Sequence, residues 1–181
     1  MQNPADWSPI VTENLMLRAP TSEDKPSMTK LHSDAQTFMY HPLPVEVARS
    51  VVGRRYDDAV AHWREHGFGF WVATDRQDPT RVVGMSGVQF RTFHDRTALS
   101  LYYRFEPSIW GKGYATQAAR AAIELARKHL PDYPIVALTV PANVPSQRVA
   151  EKVGLTHNEA LDTPQETHGR KFTHIYFTQN W

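Results

Sequence analysis

The chain has 181 residues, 41% of them hydrophobic, with 20 basic and 19 acidic side chains and no cysteine. A chain of this length suits one compact domain that buries roughly two-thirds of the surface its unfolded form exposes, so no disulfide or structural metal is needed to hold a core. The missing cysteines exclude disulfides, thiolate metal sites, a Cys nucleophile and a CxxC redox pair, and any thioester chemistry must therefore bring its sulfur from outside. A net charge of +1 argues against a nucleic acid as partner, because such binding draws its affinity from phosphate neutralisation. The start MQNPADWSPI has neither a basic nor an apolar signal region, and no stretch approaches the ~18 consecutive apolar residues of a membrane span. The expectation is a soluble cytoplasmic protein with no membrane partner.

In chain order, the alternation of Leu15 to Arg18 reads as an edge strand with its arginine toward solvent. Thr21 with Asp24 three residues on makes a weak capping box, and Met28 and Leu31 continue a helix expected over 22–37. The run HPLP at 41–44 breaks it, and a second helix carries Val52, Tyr56, Val60 and Trp63 on one stripe before Gly67 ends it. The period then shortens: GFGFWVATD, RVVGMSGVQF and ALSLYYRF read as three sequential strands of an antiparallel meander. An alanine-rich helix over 115–130 ends at Pro131, and IVALTV (135–140) is a short buried strand. A helix over 146–153 closes at Gly154, and KFTHIYFT is the last strand. With no repeat or linker, the order describes one α+β domain spanning 1–181.

Chemistry concentrates where a strand passes through a short turn into Gly111-Lys112-Gly113 and directly into a helix. Glycines at such a turn let backbone N–H groups approach a ligand, and the helix N-terminus adds partial positive charge, which suits phosphate or pyrophosphate. The same glycines also suit a plain tight turn. A P-loop needs Ser or Thr after a lysine that follows its second glycine, whereas Tyr114-Ala115 follow Gly113; a Rossmann fingerprint needs Gly or Ala where Thr116 stands. A rival pattern, His62-Trp63-Arg64-Glu65-His66, spells H-x-x-E-H, but the helix ends at Gly67 and no third ligand follows, so no metal is expected. Trp63, Phe68, Phe70 and Trp71 suit either core or an acceptor pocket.

The spacing Trp110-Gly111-Lys112-Gly113-Tyr114-Ala115 resembles the cofactor loop of GCN5-related N-acetyltransferases (GNAT). ENLMLRAPTSED, GFGFWVAT, WGKGYATQAA and NVPSQRVAEKVGL extend the resemblance to the ribosomal-protein (RimJ/RimL-like) branch over about residues 13–178. The resemblance implies the GNAT fold, a mixed, mostly antiparallel sheet of six to seven strands flanked by helices, with a splayed strand pair binding acetyl-CoA as cosubstrate. It implies pantetheine on the backbone of Tyr103 and Phe105, pyrophosphate on N–H groups from Gly111 to Thr116, Asn143 on the pantetheine arm, and Arg148 or Lys152 near the 3′-phosphate.

Family members often carry an acid tyrosine seven residues after the asparagine, where this chain has Ala150, so the resemblance hands protonation of the CoA thiolate to Ser146. Candidate bases for the incoming amine are Glu106, Glu166 and His168, unranked. The implied reaction is direct acetyl transfer to a primary amine in a ternary complex, with a protein N-terminus as one acceptor. The alternatives are a small amine (an antibiotic, a polyamine or an amino acid) or a non-catalytic CoA-binding module, in a monomer or homodimer.

Overall fold

Local chemistry sets the element boundaries in the computed structural model, which describes residues 2–52 and 54–181. Strands β1 (Ile10–Val11) and β2 (Leu15–Arg18) lead into helix α1 (Lys25–Ser33), then α2 (Val45–Val52) and α3 (Arg55–His66). The meander is β3 (Phe70–Asp75), β4 (Val82–Phe93) and β5 (Arg96–Phe105). Helix α4 (Tyr114–His129), β6 (Ile135–Thr139) and α5 (Val144–Lys152) follow, and β7 (Thr156–His157), β8 (Thr163–Thr167) and β9 (Arg170–Gln179) complete the chain.

The sheet runs β1-β2-β3-β4-β5-β6-β9-β7, with β8 added to β9. All its pairs are antiparallel except β5 with β6. Seven strands have four or more residues, and β1 and β7 are two-residue additions. The mixed, mostly antiparallel α+β architecture expected from the sequence is therefore the one observed, with two short strands beyond the six to seven expected.

Three expectations change. The helix expected over 22–37 stops at Ser33, because Asp34 turns extended (ψ 118°) and its carboxylate accepts the Gln36 N–H at 2.9 Å, starting a separate 3-10 turn over Ala35–Phe38. The helix expected before Gly67 is two helices, α2 and α3; of its stripe, Tyr56 and Trp63 are buried, and the side chain of Val52 lies outside the described residues. Arg18 does not face solvent freely: it grips the buried carboxylate of Asp24 through both oxygens at 2.6 and 2.8 Å. The same carboxylate accepts Thr21 N–H at 2.7 Å, tying the start of the helical segment to β2.

Strand β3 is buried on both faces, which is why its first four residues, Phe70 to Ala73, form a continuous apolar run. Its Trp71 and Ala73 join the core under α4, and Phe70 and Val72 join Met28, Tyr56 and Met85 on the opposite face. Trp63, Phe68, Phe70 and Trp71 are all core residues.

Candidate active site

The sheet opens at its one parallel pair. Strands β5 and β6 are in register only at Leu99 with Ile135 and Ser100 with Val136, and beyond these they diverge. The Leu99 N–H donates to the Pro134 carbonyl at 2.8 Å, so the period-two alternation of a strand aims the N–H groups of Leu101, Tyr103 and Phe105 into the gap. Glu106 N–H, of the other parity, donates to Val83 in β4 at 2.9 Å. The gap thus offers Tyr103 and Phe105 as an edge for an extended amide-bearing ligand. One group expected for that role is engaged: the Phe105 carbonyl accepts the Trp110 indole N–H at 2.8 Å.

Below the gap, Gly111 (φ +78°) and Gly113 (φ +83°) adopt left-handed conformations, and a side chain at either would meet no atom within 4 Å. The turn needs glycine for its backbone while leaving the space above it open. No side chain caps α4 at Gly113, and the first helical bond runs from Gln117 N–H to Gly113 at 3.0 Å. The N–H groups of Tyr114, Ala115 and Thr116 therefore present the positive end of a 16-residue helix to the cavity. Arg148 and Lys152, one turn apart on α5, line the same cavity. Lys112 is exposed and does not line it. The arrangement fits CoA, with an edge for the pantetheine amides and an anion site for the phosphates.

Helix α5 starts at the Asn143 cap, whose Oδ1 accepts Ser146 N–H at 3.2 Å. The Ser146 hydroxyl lies 3.0 Å from the Tyr103 phenol, which also donates to the Ser146 carbonyl at 2.8 Å. Burial pushes the Tyr103 pKa up to about 12, against the opposing pull of its bond to Ser146, so the phenol stays protonated at neutral pH. Sequence reasoning placed Tyr103 by its backbone alone, because nothing local links it to a serine 43 residues away.

On the other face of β5 the gap widens into a second chamber, within a continuous cavity of about 810 Å³. Thr37, Tyr40, His41, Arg104, Phe172 and His174 wall this side. Both imidazoles titrate below the ordinary value, through burial above all, with the Arg104 charge and His174 itself adding to the effect at His41. Each is therefore neutral at pH 7 and able to accept a proton.

The three bases expected from the sequence lie elsewhere. Glu106 pairs with Arg81 and accepts the Ser108 hydroxyl at 2.7 Å. Glu166 is exposed and 3.6 Å from Lys171, its alternating neighbours Gln165 and Thr167 taking the cavity face of β8. His168 sits in the β8–β9 turn at φ +50°. Among the described residues that line the cavity there is no Asp or Glu.

The H-x-x-E-H segment is structural: His62 bonds the Phe68 carbonyl through Nδ1 at 2.7 Å and the Phe90 N–H through Nε2 at 3.1 Å, which leaves neither nitrogen for a metal.

Comparison with known proteins agrees with this geometry. A model of the acetyltransferase (GNAT) domain family matches residues 14–156. YkkB, an uncharacterized protein of Bacillus subtilis, is 25% identical over 158 residues, 84% of this chain and 87% of that protein. The FsC-acetyl coenzyme A-N(2)-transacetylase of Aspergillus fumigatus is 37% identical over 163 residues, 88% of this chain and 60% of that protein. Among solved structures, the ribosomal-protein-S5-alanine acetyltransferase of Vibrio fischeri shares the fold, with a TM-score of 0.71 at 17% identity over 94% of each chain. The family match joins the splayed strands and the open glycine turn in one conclusion: the chain belongs to the GNAT acetyltransferases, acyl-CoA-dependent N-acetyltransferases whose donor is acetyl-CoA.

Proposed function

We propose that this cytoplasmic enzyme acetylates a primary amine of the α-amine type, by direct attack in a ternary complex within one N-acetyltransferase domain. The observation that carries the choice of amine is the composition of the chamber beyond β5, which holds the neutral imidazoles of His41 and His174 and no lining carboxylate. An α-amine with pKa near ~8 needs only a weak base, whereas a lysine-type amine near ~10.4 needs a stronger one. The relatives that act on an alanine of a ribosomal protein and on an N(2) position, by their names, favour the same reading.

Bound in the gap, acetyl-CoA supplies a thioester carbonyl open to attack. The Phe105 N–H, aimed into the gap, donates to the oxygen on which negative charge develops. Ser146, on the α5 side, gives a proton to the departing thiolate and regains one from solvent; the Tyr103 phenol beside it keeps its own proton and orients the hydroxyl. His174 or His41, on the opposite side, takes the proton that the amine loses and passes it to solvent. With no cysteine in the chain, no acyl-enzyme on sulfur intervenes.

Calorimetry with acetyl-CoA is the direct test. The reading expects saturable 1:1 binding that Gly113→Glu abolishes by filling the open turn with a carboxylate, together with CoA release in the presence of α-amines. Absence of binding, or binding indifferent to Gly113→Glu, would overturn it.

A further inference from the structure

We propose that Arg104 reads a carboxylate on the acceptor, so that the amine acetylated by this enzyme is itself an acidic molecule. The inference rests on the acetyltransferase reading above and narrows its substrate class.

Arg104 stands on the face of β5 opposite Tyr103 and Phe105, so its side chain belongs to the acceptor chamber rather than to the CoA side of the gap. Half-buried there, its guanidinium stacks over the Phe38 ring at 4.6 Å and donates one hydrogen bond, to the Thr37 hydroxyl at 2.7 Å. Among the described residues no carboxylate lies within salt-bridge distance of it. Elsewhere in the fold the half-buried Arg18 receives both oxygens of Asp24, at 2.6 and 2.8 Å, while Arg55, stacked over Tyr102 at 4.4 Å with no carboxylate paired to it among the described residues, lies outside the cavity. Among those residues Arg104 is the unpaired arginine of the acceptor chamber.

The neighbours of Arg104 sharpen the contrast. His32 and His41 both feel its charge, and both are held below the ordinary imidazole value, so neither answers it with a charge of either sign at neutral pH. The other cations of the cavity, Arg148 and Lys152, sit on α5 beside the anion turn. The acceptor chamber therefore carries one cation, no anion, and a planar fork of N–H donors whose geometry matches a carboxylate. A polycationic acceptor meets only repulsion there, whereas an amine bearing a carboxylate is held at the end away from its nitrogen.

The test compares amines that differ only in whether they carry a carboxylate: the C-terminally amidated dipeptide Ala-Asp-NH2 against Ala-Asn-NH2, the single amino-acid amide Asp-NH2 against Asn-NH2, and spermidine as a polycation. CoA release is followed for the native protein, Arg104→Gln and Arg104→Lys, with acetyl-CoA binding measured in parallel. The expected result is kcat/KM about tenfold or more higher for the acidic member of a pair, falling to near parity in Arg104→Gln and partly kept in Arg104→Lys. Preference confined to the dipeptides supports the proposal with a peptide N-terminus as source, and preference in both pairs supports it with a single amino-acid unit.

Equal rates within each pair for the native protein, spermidine as the best acceptor, or a ratio that survives Arg104→Gln would each overturn it. The native ratio needs no variant, so a misfolded Arg104→Gln does not spoil the test. Should none of these amines turn over, calorimetry of each pair on the CoA-loaded protein decides: tighter binding of the acidic member supports the proposal, and equal affinities overturn it. Failure of acetyl-CoA itself to bind strikes the acetyltransferase reading instead.

Discussion

The phenol of Tyr103 donates to the main-chain carbonyl of Ser146 and stands 3.0 Å from its hydroxyl, joining the splayed edge of β5 to the first turn of α5. This contact fixes the distance between the splayed edge of β5 and the hydroxyl to which the proposed mechanism gives protonation of the thiolate. Ser146→Ala is expected to lower kcat roughly tenfold to a hundredfold with little change in acetyl-CoA binding. A thiol is already a fair leaving group, so the loss stays near the low end of general-acid effects. Tyr103→Phe should cost less, about threefold to tenfold, and leave Ser146 in place. Steady-state kinetics with calorimetry checks both, and an unchanged kcat in Ser146→Ala would remove Ser146 from the reaction.

Gly84 sets the position of Phe105, whose N–H is the proposed oxyanion donor. A methyl group on Gly84 would fall 2.3 Å from Phe105 Cδ1 and 2.7 Å from the Arg104 carbonyl oxygen, and the latter cannot swing aside as a side chain can. Gly84→Ala should therefore displace the end of β5, costing about 1–3 kcal/mol of stability. It should also raise the KM for acetyl-CoA. Thermal unfolding and kinetics on the same sample test whether the two effects arrive together.

His32 makes the fold acid-sensitive. It is buried, its Nδ1 bonds the Met28 carbonyl at 2.8 Å, and burial followed by the charge of Arg104 lowers its pKa from 6.5 to about 4. The unfolded chain binds a proton below pH 6.5 and the folded chain does not until about pH 4, so this contribution is complete above 6.5 and is lost as pH falls between those values. The loss amounts to about 3 kcal/mol. Urea unfolding from pH 7 to pH 4 should show it, and His32→Gln should flatten that part of the profile. An equally steep profile in His32→Gln would assign the acid sensitivity elsewhere.

The two histidines of the acceptor chamber should appear in the kinetics. Both are held below the ordinary imidazole value, so both are neutral at pH 7 and are lost as proton acceptors only when pH falls through their lowered pKa. With an α-amine acceptor, log kcat/KM should fall with a slope of about one below pH ~8 as the amine protonates. The slope should steepen to about two on the acid side of pH ~6.5, once the accepting histidine protonates as well. His41→Asn and His174→Asn should separate the contributions, the variant that keeps the single slope marking the acceptor. A slope change that survives in both variants would show that neither histidine takes the proton.

What the sequence made legible is what lies within one turn of chain. The Gly111-Lys112-Gly113 turn and the Asn143 cap announce themselves because backbone conformation and capping are local, and the meander strands because β-branched and aromatic runs leave little alternative. Strand β8 escaped notice because Thr163-Pro164-Gln165-Glu166-Thr167 holds no hydrophobic residue and pairs only with β9.

That the three expected bases stand outside the cavity has a different reason. Whether Glu106 or Glu166 faces a cavity depends on the parity of one residue and on a partner, Arg81 or Lys171, that no spacing rule reveals. His41 and His174 meet across the gap from segments more than 130 residues apart, and Tyr103 reaches Ser146 only because β5 and α5 flank the same opening. Side-chain facing at long range belongs to the tertiary fold.

The central claim is that acetyl-CoA lies between β5 and β6 with its phosphates on the start of α4. Backbone amide resonances followed through an acetyl-CoA titration test it most directly. The account predicts that the largest changes, with protection from hydrogen exchange, fall on the N–H groups of Tyr103, Phe105 and 113–116. Changes confined to another surface, or none at those amides under saturation, would contradict it.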